Sequence, residues 1–200
     1  IYDNNLHMME IQMEFWGVDV VLKERVEDIP EILADRIREM DGQVDFIITS
    51  GGVSVGKKDI MHEVIKLLGA ERIFWKIAIK PGMPTLCAKY NDTVILCLSG
   101  NPYGAAVNLT LLGRPVFAKM MHREDLDLER RNGIMINGYP KKSGVTRYVR
   151  SRYKDGQITI ADGSNDSGIL SNMCGCNCLL EIPAETEKVE PGEEMTVVMI

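Results

Sequence analysis

Two hundred residues is about one and a third typical domains, and 45% apolar with 26% charged residues is a globular composition that excludes disordered and fibrous classes. Lysine and arginine number 23 against 29 aspartate and glutamate, a net charge of −6 without a basic block, which argues against nucleic acid as the main partner. No apolar run approaches the roughly 20 residues of a membrane span, and Ile1-Tyr2-Asp3-Asn4 lacks signal-peptide design, so the expected location is the cytoplasm.

In chain order, Leu6, Met9, Met13 and Phe15 mark a helix that Gly17 closes, and Val18 to Leu22 reads as a short buried strand. A second helix follows, with Asp28 as N-cap, Pro30 in its first turn and Ile29, Ile32, Leu33, Ile37 and Met40 on one face. Strand Phe46 to Thr49 runs into the glycine-rich Ser50-Gly51-Gly52-Val53-Ser54-Val55-Gly56. Ile60, Met61, Val64, Ile65 and Leu68 then repeat at helical spacing up to Gly69.

Arg72 to Ile79, Thr85 to Tyr90 and Val94 to Leu98 are strand-like, the last two joined by the turn Asn91-Asp92. Ser99-Gly100-Asn101-Pro102 leads into an apolar helix from Tyr103 to about Met120. Seven charged side chains between His122 and Asn132 mark a boundary. Beyond it, Gly144 to Arg152, Gln157 to Ile160, Leu179 to Ile182 and Met195 to Ile200 are short strands separated by Asp155-Gly156, Asp162-Gly163 and Pro191-Gly192, the pattern of a small all-β unit. The expected fold class is therefore α/β, with a mostly parallel sheet covered by helices over residues 1–124 and a small barrel-like domain over 125–200.

Three loops follow predicted strands, where open α/β sheets bind ligands. In Ser50 to Asp59, three glycines and two serines let backbone N–H groups approach an anion, although a plain tight turn has the same composition. In Lys76-Ile77-Ala78-Ile79-Lys80-Pro81-Gly82-Met83-Pro84, a strand would put Lys76 and Lys80 on one face. Two ammonium groups there suit a bound anion, or else a solvated edge strand. Ser99-Gly100-Asn101-Pro102 repeats the design of the first loop, or is a helix start with Asn101 as N-cap. Three such loops in one half of the chain favour a shared anionic ligand.

Asp28 and Asp59 fall at the same sheet edge and can serve as helix caps or as carboxylates for a hard cation such as Mg²⁺. The five cysteines are expected to be reduced, and Cys174, Cys176 and Cys178 alternate as they would on one buried strand face, closer together than zinc ligands prefer. His7, His62 and His122 have no evident partner in the sequence, and the twelve methionines fall mostly on predicted core faces.

The strings Ser50 to Asp59, Phe74 to Pro84 and Leu98-Ser99-Gly100-Asn101-Pro102 closely resemble the molybdopterin molybdenumtransferases of the MoeA and gephyrin E-domain type. Tyr2-Asp3-Asn4-Asn5 resembles the family's segment just after the first strand of its three-layer α/β/α molybdopterin-binding domain, and Gly163-Ser164 to Pro183 resembles its small C-terminal barrel. Ser99 stands where many members have proline.

The resemblance implies an enzyme that takes molybdopterin-AMP and molybdate with Mg²⁺ and yields molybdenum cofactor and AMP. Asp28 and Asp59 would act on the magnesium and the phosphoanhydride, and Lys76 and Lys80 would hold phosphate or the incoming oxyanion. Ser50, Gly51, Gly52, Val53, Ser54, Gly56, Pro81, Gly82, Pro84, Ser99, Gly100, Asn101 and Pro102 would cradle the pterin phosphate, with Arg150 and Ser164 contributing from the last domain. Family members are about twice this long and dimerise through two N-terminal domains, so the expectation is a fragment lacking the domain's first strand, a homodimer only with its missing half, and weakly active alone. An adenylyltransferase of the same pathway is both an expected partner and an alternative reading, though it carries a Thr-Gly-Gly-Thr-Gly type loop and lacks the Lys-Pro-Gly-x-Pro segment. A receptor-anchoring scaffold is the third reading. Molybdate and tungstate are not distinguished.

Overall fold

The computed structural model describes residues 4–53, 60–161 and 168–200, which divide into two compact units. The first comprises residues 1–77 and 82–109, the second 78–81 and 110–200. The expected division fell after Glu124; the short insertion 78–81 and the stretch 110–124 instead group with the barrel.

The first unit is built on a four-stranded sheet in the order β1-β5-β4-β2, with β1 Phe46–Ser50, β2 Glu71–Trp75, β4 Leu86–Tyr90 and β5 Thr93–Leu98. Only β1 and β5 run parallel; β5 with β4 and β4 with β2 are antiparallel. The expected mostly parallel sheet is thus corrected to a mixed one. The reason is local, because the two-residue turn at Asn91 (φ 50°) and Asp92 returns the chain directly beside β4, which forces an antiparallel pair.

Helix α1 (Asn4–Phe15) stops where Gly17 adopts φ 78° and Val18 N–H donates to Met13 O at 3.0 Å. Helix α3 (Met61–Leu68) ends the same way, with Gly69 at φ 65° and Ala70 N–H on Ile65 O at 3.0 Å. Helix α2 (Pro30–Met40) contributes Ala34 and Ile37 to a core shared with Val64 and Ile65 of α3 and with Ile47, Leu86, Ala88, Ile95 and Cys97 of the sheet. Ile29 and Ile32, placed on the same face by periodicity, are largely exposed.

Two further expectations fail. Val18 to Leu22 is not a strand, and Val21 is 64% exposed, because nothing of the sheet pairs with it. The strand expected from Arg72 to Ile79 breaks at Lys76, whose φ of 67° cannot continue a pleat. The helix expected from Tyr103 to about Met120 is present as one continuous helical run, α4 (Pro102–Asn108) and α5 (Arg114–Met120) joined through a π-helical turn (Leu109–Gly113).

In the second unit, β7 (Thr146–Lys154), β8 (Gln157–Ile160), β6 (Arg130–Met135), β10 (Glu194–Met199) and β9 (Cys178–Ile182) pair in that order, and β9 returns to β7. This is a closed five-stranded barrel. The pair β3 (Ile79–Lys80) adds to it by running parallel to Thr146 and Arg147. Strand β8 alternates as the sequence shows, with Ile158 and Ile160 inward and Gln157 and Thr159 outward. Met135, Val149, Leu180, Ile182 and Val197 fill the same interior. The β7–β8 hairpin turns on Asp155 (φ 49°) and Gly156 (φ 79°), both in the left-handed conformation a two-residue turn needs. Strand β6 was hidden in the charged run, since its outward residues Arg130, Arg131 and Asn132 dominate its composition.

Candidate functional site

The parallel pairing of β1 with β5 puts Ser50 in register with Leu98, so the two strands end side by side and their following loops emerge together. Gly51 (φ 90°) donates its N–H to Leu98 O at 3.1 Å. A Cβ on Gly100 would lie 3.4 Å from Gly51 Cα. Gly52 (φ 65°) has Ile60 Cγ1 only 3.0 Å from where a Cβ would sit, while Val53 is buried in the core at 2% exposure. Glycines here bring two backbones together at strand ends, a setting in which main-chain N–H groups can face an anion.

Asn5 of α1 holds the two loops to each other. Its Nδ2 donates to Ser50 Oγ at 2.6 Å and to Gly100 O at 3.0 Å. The side chain is 7% exposed, and its Oδ1 has no hydrogen-bond partner among the described residues.

A second buried asparagine sets the Pro-Gly loop. Asn108 of α4 donates from Nδ2 to Gly82 O at 2.7 Å and to Thr85 Oγ1 at 2.5 Å, and the Thr85 hydroxyl donates to Gly82 O at 2.8 Å. Gly82 has φ 95°, and a Cβ there would collide with Asn108 Nδ2 at 2.4 Å. Gly104 is also tightly packed, its would-be Cβ 3.3 Å from Gly82 Cα and 3.6 Å from Ser99 Cβ. Gly51, Gly82, Ser99 and Gly100 are therefore brought to one end of the sheet by α4 and by Asn5.

The lysine pair is not on one strand face. Lys76 ends β2 in a left-handed turn, with its N–H on Thr85 O at 2.9 Å and its exposed ammonium 5.3 Å from the Trp75 ring centre. Lys80 lies in β3, paired with the barrel, and precedes Pro81 in a cis peptide bond. The segment between them thus divides, Lys76, Gly82 and Pro84 belonging to the first unit and Lys80 and Pro81 to the second.

Asp28 is exposed at a bend, and the residue capping α2 is Ile29, without a side-chain cap, so Asp28 neither caps the helix nor ends a strand. Ser54, Gly56, Asp59, Gly163 and Ser164, like Tyr2 and Asp3, lie outside the described residues. Asn101 and Pro102 open α4 as expected in sequence position, although the Asn101 side chain makes no cap hydrogen bond; its N–H lies 3.2 Å from Ser99 Oγ. Arg150 is wholly buried in the second unit, and its Nη2 donates to Ile169 O at 2.5 Å.

Among the described residues no three His, Cys, Asp or Glu side chains group to hold a metal ion. An open groove of about 580 Å³ in the second unit, lined by Arg130, Glu181 and Thr196 among others, contains none of the expected site residues.

Asn5, Asn108 and Thr85 were missed by sequence reasoning. For Asn108 the available signal was a lone amide in an otherwise apolar helix, which reads as tolerated polarity until the backbone it serves is in place. What the arrangement offers chemically is a rigid backbone cradle with an exposed ammonium beside it, suited to binding an anion.

An open α/β sheet with glycine loops at the ends of two parallel strands, followed in the chain by a closed barrel, defines an α/β protein with an appended β domain. Residues 1–119 match the family described as "Probable molybdopterin binding domain", and the chain belongs to that family. Residues 132–200 match the MoeA C-terminal region, domain IV. The chain is 28% identical to the molybdopterin molybdenumtransferase of Bacillus subtilis strain 168, over 100% of this chain and 47% of that protein. It is 30% identical to the enzyme of the same name from Haemophilus influenzae, over 98% and 50% respectively. The chain thus spans about half the length of these relatives. The molybdopterin biosynthesis MoeA protein of Pyrococcus horikoshii has the same fold, with TM-score 0.82 at 22% identity over 100% of this chain and 48% of that one. No helix among the described residues is long and apolar enough to cross a membrane.

Proposed function

We propose that this chain is the pterin-handling part of a molybdopterin molybdenumtransferase, acting in molybdenum cofactor biosynthesis on adenylylated molybdopterin and molybdate and releasing AMP. The observation that carries the reading is the convergence of Gly51, Gly82 and Gly100 at one sheet end, tied by Asn5 and Asn108. A ligand with a phosphate and a phosphoanhydride needs donors that are already aimed, and backbone N–H groups in a glycine cradle carry no side-chain entropy cost when they bind.

In this reading Ser50, Gly51, Gly52, Val53, Ser54 and Gly56 face the pterin phosphate, with Gly82, Pro84, Ser99, Gly100, Asn101 and Pro102 walling the same cradle. Lys76 and Lys80 neutralise charge that develops on phosphoryl oxygens as the anhydride is cleaved, or hold the incoming oxyanion. Asp28 and Asp59 are the carboxylates offered to Mg²⁺, an ion that takes one or two carboxylates and completes its shell with substrate oxygens and water. Homodimerisation and hand-over of the substrate from an adenylyltransferase belong to the same reading.

Calorimetric titration with AMP tests it. The expected result is binding that Mg²⁺ strengthens, that Asp59→Asn weakens, and that the double variant Lys76→Glu, Lys80→Glu abolishes. Equal AMP affinity in wild type and the double variant overturns the assignment of the lysines. No AMP binding under any condition, in either this chain or a full-length relative-sized protein, overturns the transferase reading.

A further inference from the structure

The second unit carries three cysteines in five residues, and the structure separates them. Cys178 begins β9 and is wholly buried, Cys176 is half-buried, and Cys174 is exposed. Cys87 and Cys97 are buried in β4 and β5 of the other unit. None of the five is joined in a disulfide.

Met173 to Cys176 form a β-turn. Cys176 N–H donates to Met173 O at 3.0 Å, Cys174 has φ −59° and ψ 126°, and Gly175 has φ +79°. These are the angles of a type II turn, whose third position selects glycine. Cys174 and Cys176 occupy its second and fourth positions, two residues apart across a reversal, which keeps their Cα atoms within the separation a disulfide spans. Burial pushes the Cys176 thiol up, Arg150 opposes this, and the charge of Cys174 adds to it.

The turn is held on both sides. Met173 N–H donates to Leu170 O at 2.8 Å and Cys174 N–H to Ser171 O at 3.0 Å, in the 3₁₀ turn Ser171–Met173. After it, Asn177 N–H donates to Ser151 O at 3.2 Å, while the Asn177 side chain accepts from Tyr153 N–H at 2.7 Å and donates to Tyr153 O at 2.9 Å. Cys176 Sγ lies 3.4 Å from Asn172 O, so its S–H points along the turn. Pre-set geometry of this kind lowers the entropy lost when two thiols join.

We propose that Cys174 and Cys176 are a redox-active dithiol that closes to an intramolecular disulfide when the protein meets a small-molecule disulfide. The exposed Cys174 thiolate attacks one sulfur of the reagent, forming a mixed disulfide and expelling one thiolate. The Cys176 thiolate then attacks the Cys174 sulfur, forming the Cys174–Cys176 bond and expelling the second thiolate. Two electrons pass from the cysteine thiols to the reagent, which leaves as two thiols carrying the two protons. The proposal is independent of the transferase reading, since none of its residues belongs to the glycine cradle.

The test is incubation of the reduced, folded protein with oxidised glutathione, followed by intact-mass measurement and peptide mapping. Wild type is expected to lose two hydrogens with no retained glutathione, to show a Cys174–Cys176 bridge, and to revert with dithiothreitol. Cys176→Ser is expected to stop at a single glutathione adduct on Cys174, and Cys174→Ser to form no bridge. A wild-type protein that retains the adduct, that remains a dithiol, or that maps to Cys176–Cys178 overturns the proposal. Cys174 is exposed, so Cys174→Ser keeps the test decisive should Cys176→Ser fold poorly.

Discussion

The two units finish their strands differently. In the barrel, hydrogen-bond closure from β7 through β8, β6, β10 and β9 back to β7 leaves no unpaired ring edge, and apolar side chains such as Ile158, Leu180 and Val197 fill the interior. In the α/β unit, buried amides serve loops, because Asn5 and Asn108 satisfy backbone carbonyls and hydroxyls at strand ends that the sheet itself leaves open. A closed sheet spends its hydrogen bonds on itself, whereas an open one has strand ends that must be finished by side chains or by a ligand. The difference leaves the open unit with strand ends finished by side chains rather than by the sheet.

The largest expected effect sharpens that contrast. Leu180→Ala, at a site with no exposure, is expected to cost about 2–5 kcal/mol in the barrel. Both tryptophans, Trp16 and Trp75, lie in the α/β unit, so tryptophan fluorescence reports that unit while circular dichroism reports both. A circular dichroism midpoint that falls more than the fluorescence midpoint shows the units unfolding separately; equal shifts break the comparison.

Gly82→Ala comes next, at about 3 kcal/mol from a left-handed backbone and a clash with Asn108, and here the fluorescence midpoint should move first. Asn5→Ala follows at about 1–3 kcal/mol, since it strands two partners, and it should weaken anion binding more than it lowers the melting temperature if the loops are the cradle.

Alkaline pH provides a further division. Burial pushes the Cys178 thiol up to about 12, with the charge of Cys176 adding to it. A raised folded value means that the folded state keeps a proton the unfolded chain loses, so this stability is intact below about pH 9 and is lost as pH rises towards 12. The barrel is expected to melt at lower temperature across that range, and Cys178→Ala to flatten the dependence, in pH-resolved thermal melts. Smallest of all, Lys76→Glu with Lys80→Glu should shift stability by under about 0.5 kcal/mol, both side chains being exposed, while removing AMP binding.

Much of the fold was legible because its signals are local. Gly69 at a helix end, the Asp155-Gly156 hairpin and the alternation of Gln157 to Ile160 each follow from the backbone angles or pleat those residues prefer. Val18 to Leu22 misled because apolar, β-branched residues predict a strand only if a neighbouring strand is available to pair with them. Lys76 and Lys80 misled because a four-residue spacing fixes a shared face only while the chain stays extended, and the left-handed angle at Lys76 is not written in its side chain.

For the candidate site, the sequence by itself determined the parts: three small-residue loops after strands, two lysines, and the glycines without which the backbones could not approach. Their chemistry is a property of residue type, so order along the chain is enough to nominate them. Only the tertiary structure decided which parts meet. Asn5 reaches Gly100 across 95 residues and Asn108 reaches Gly82 across 26, and contacts over such separations depend on sheet order and helix placement, which no local pattern encodes.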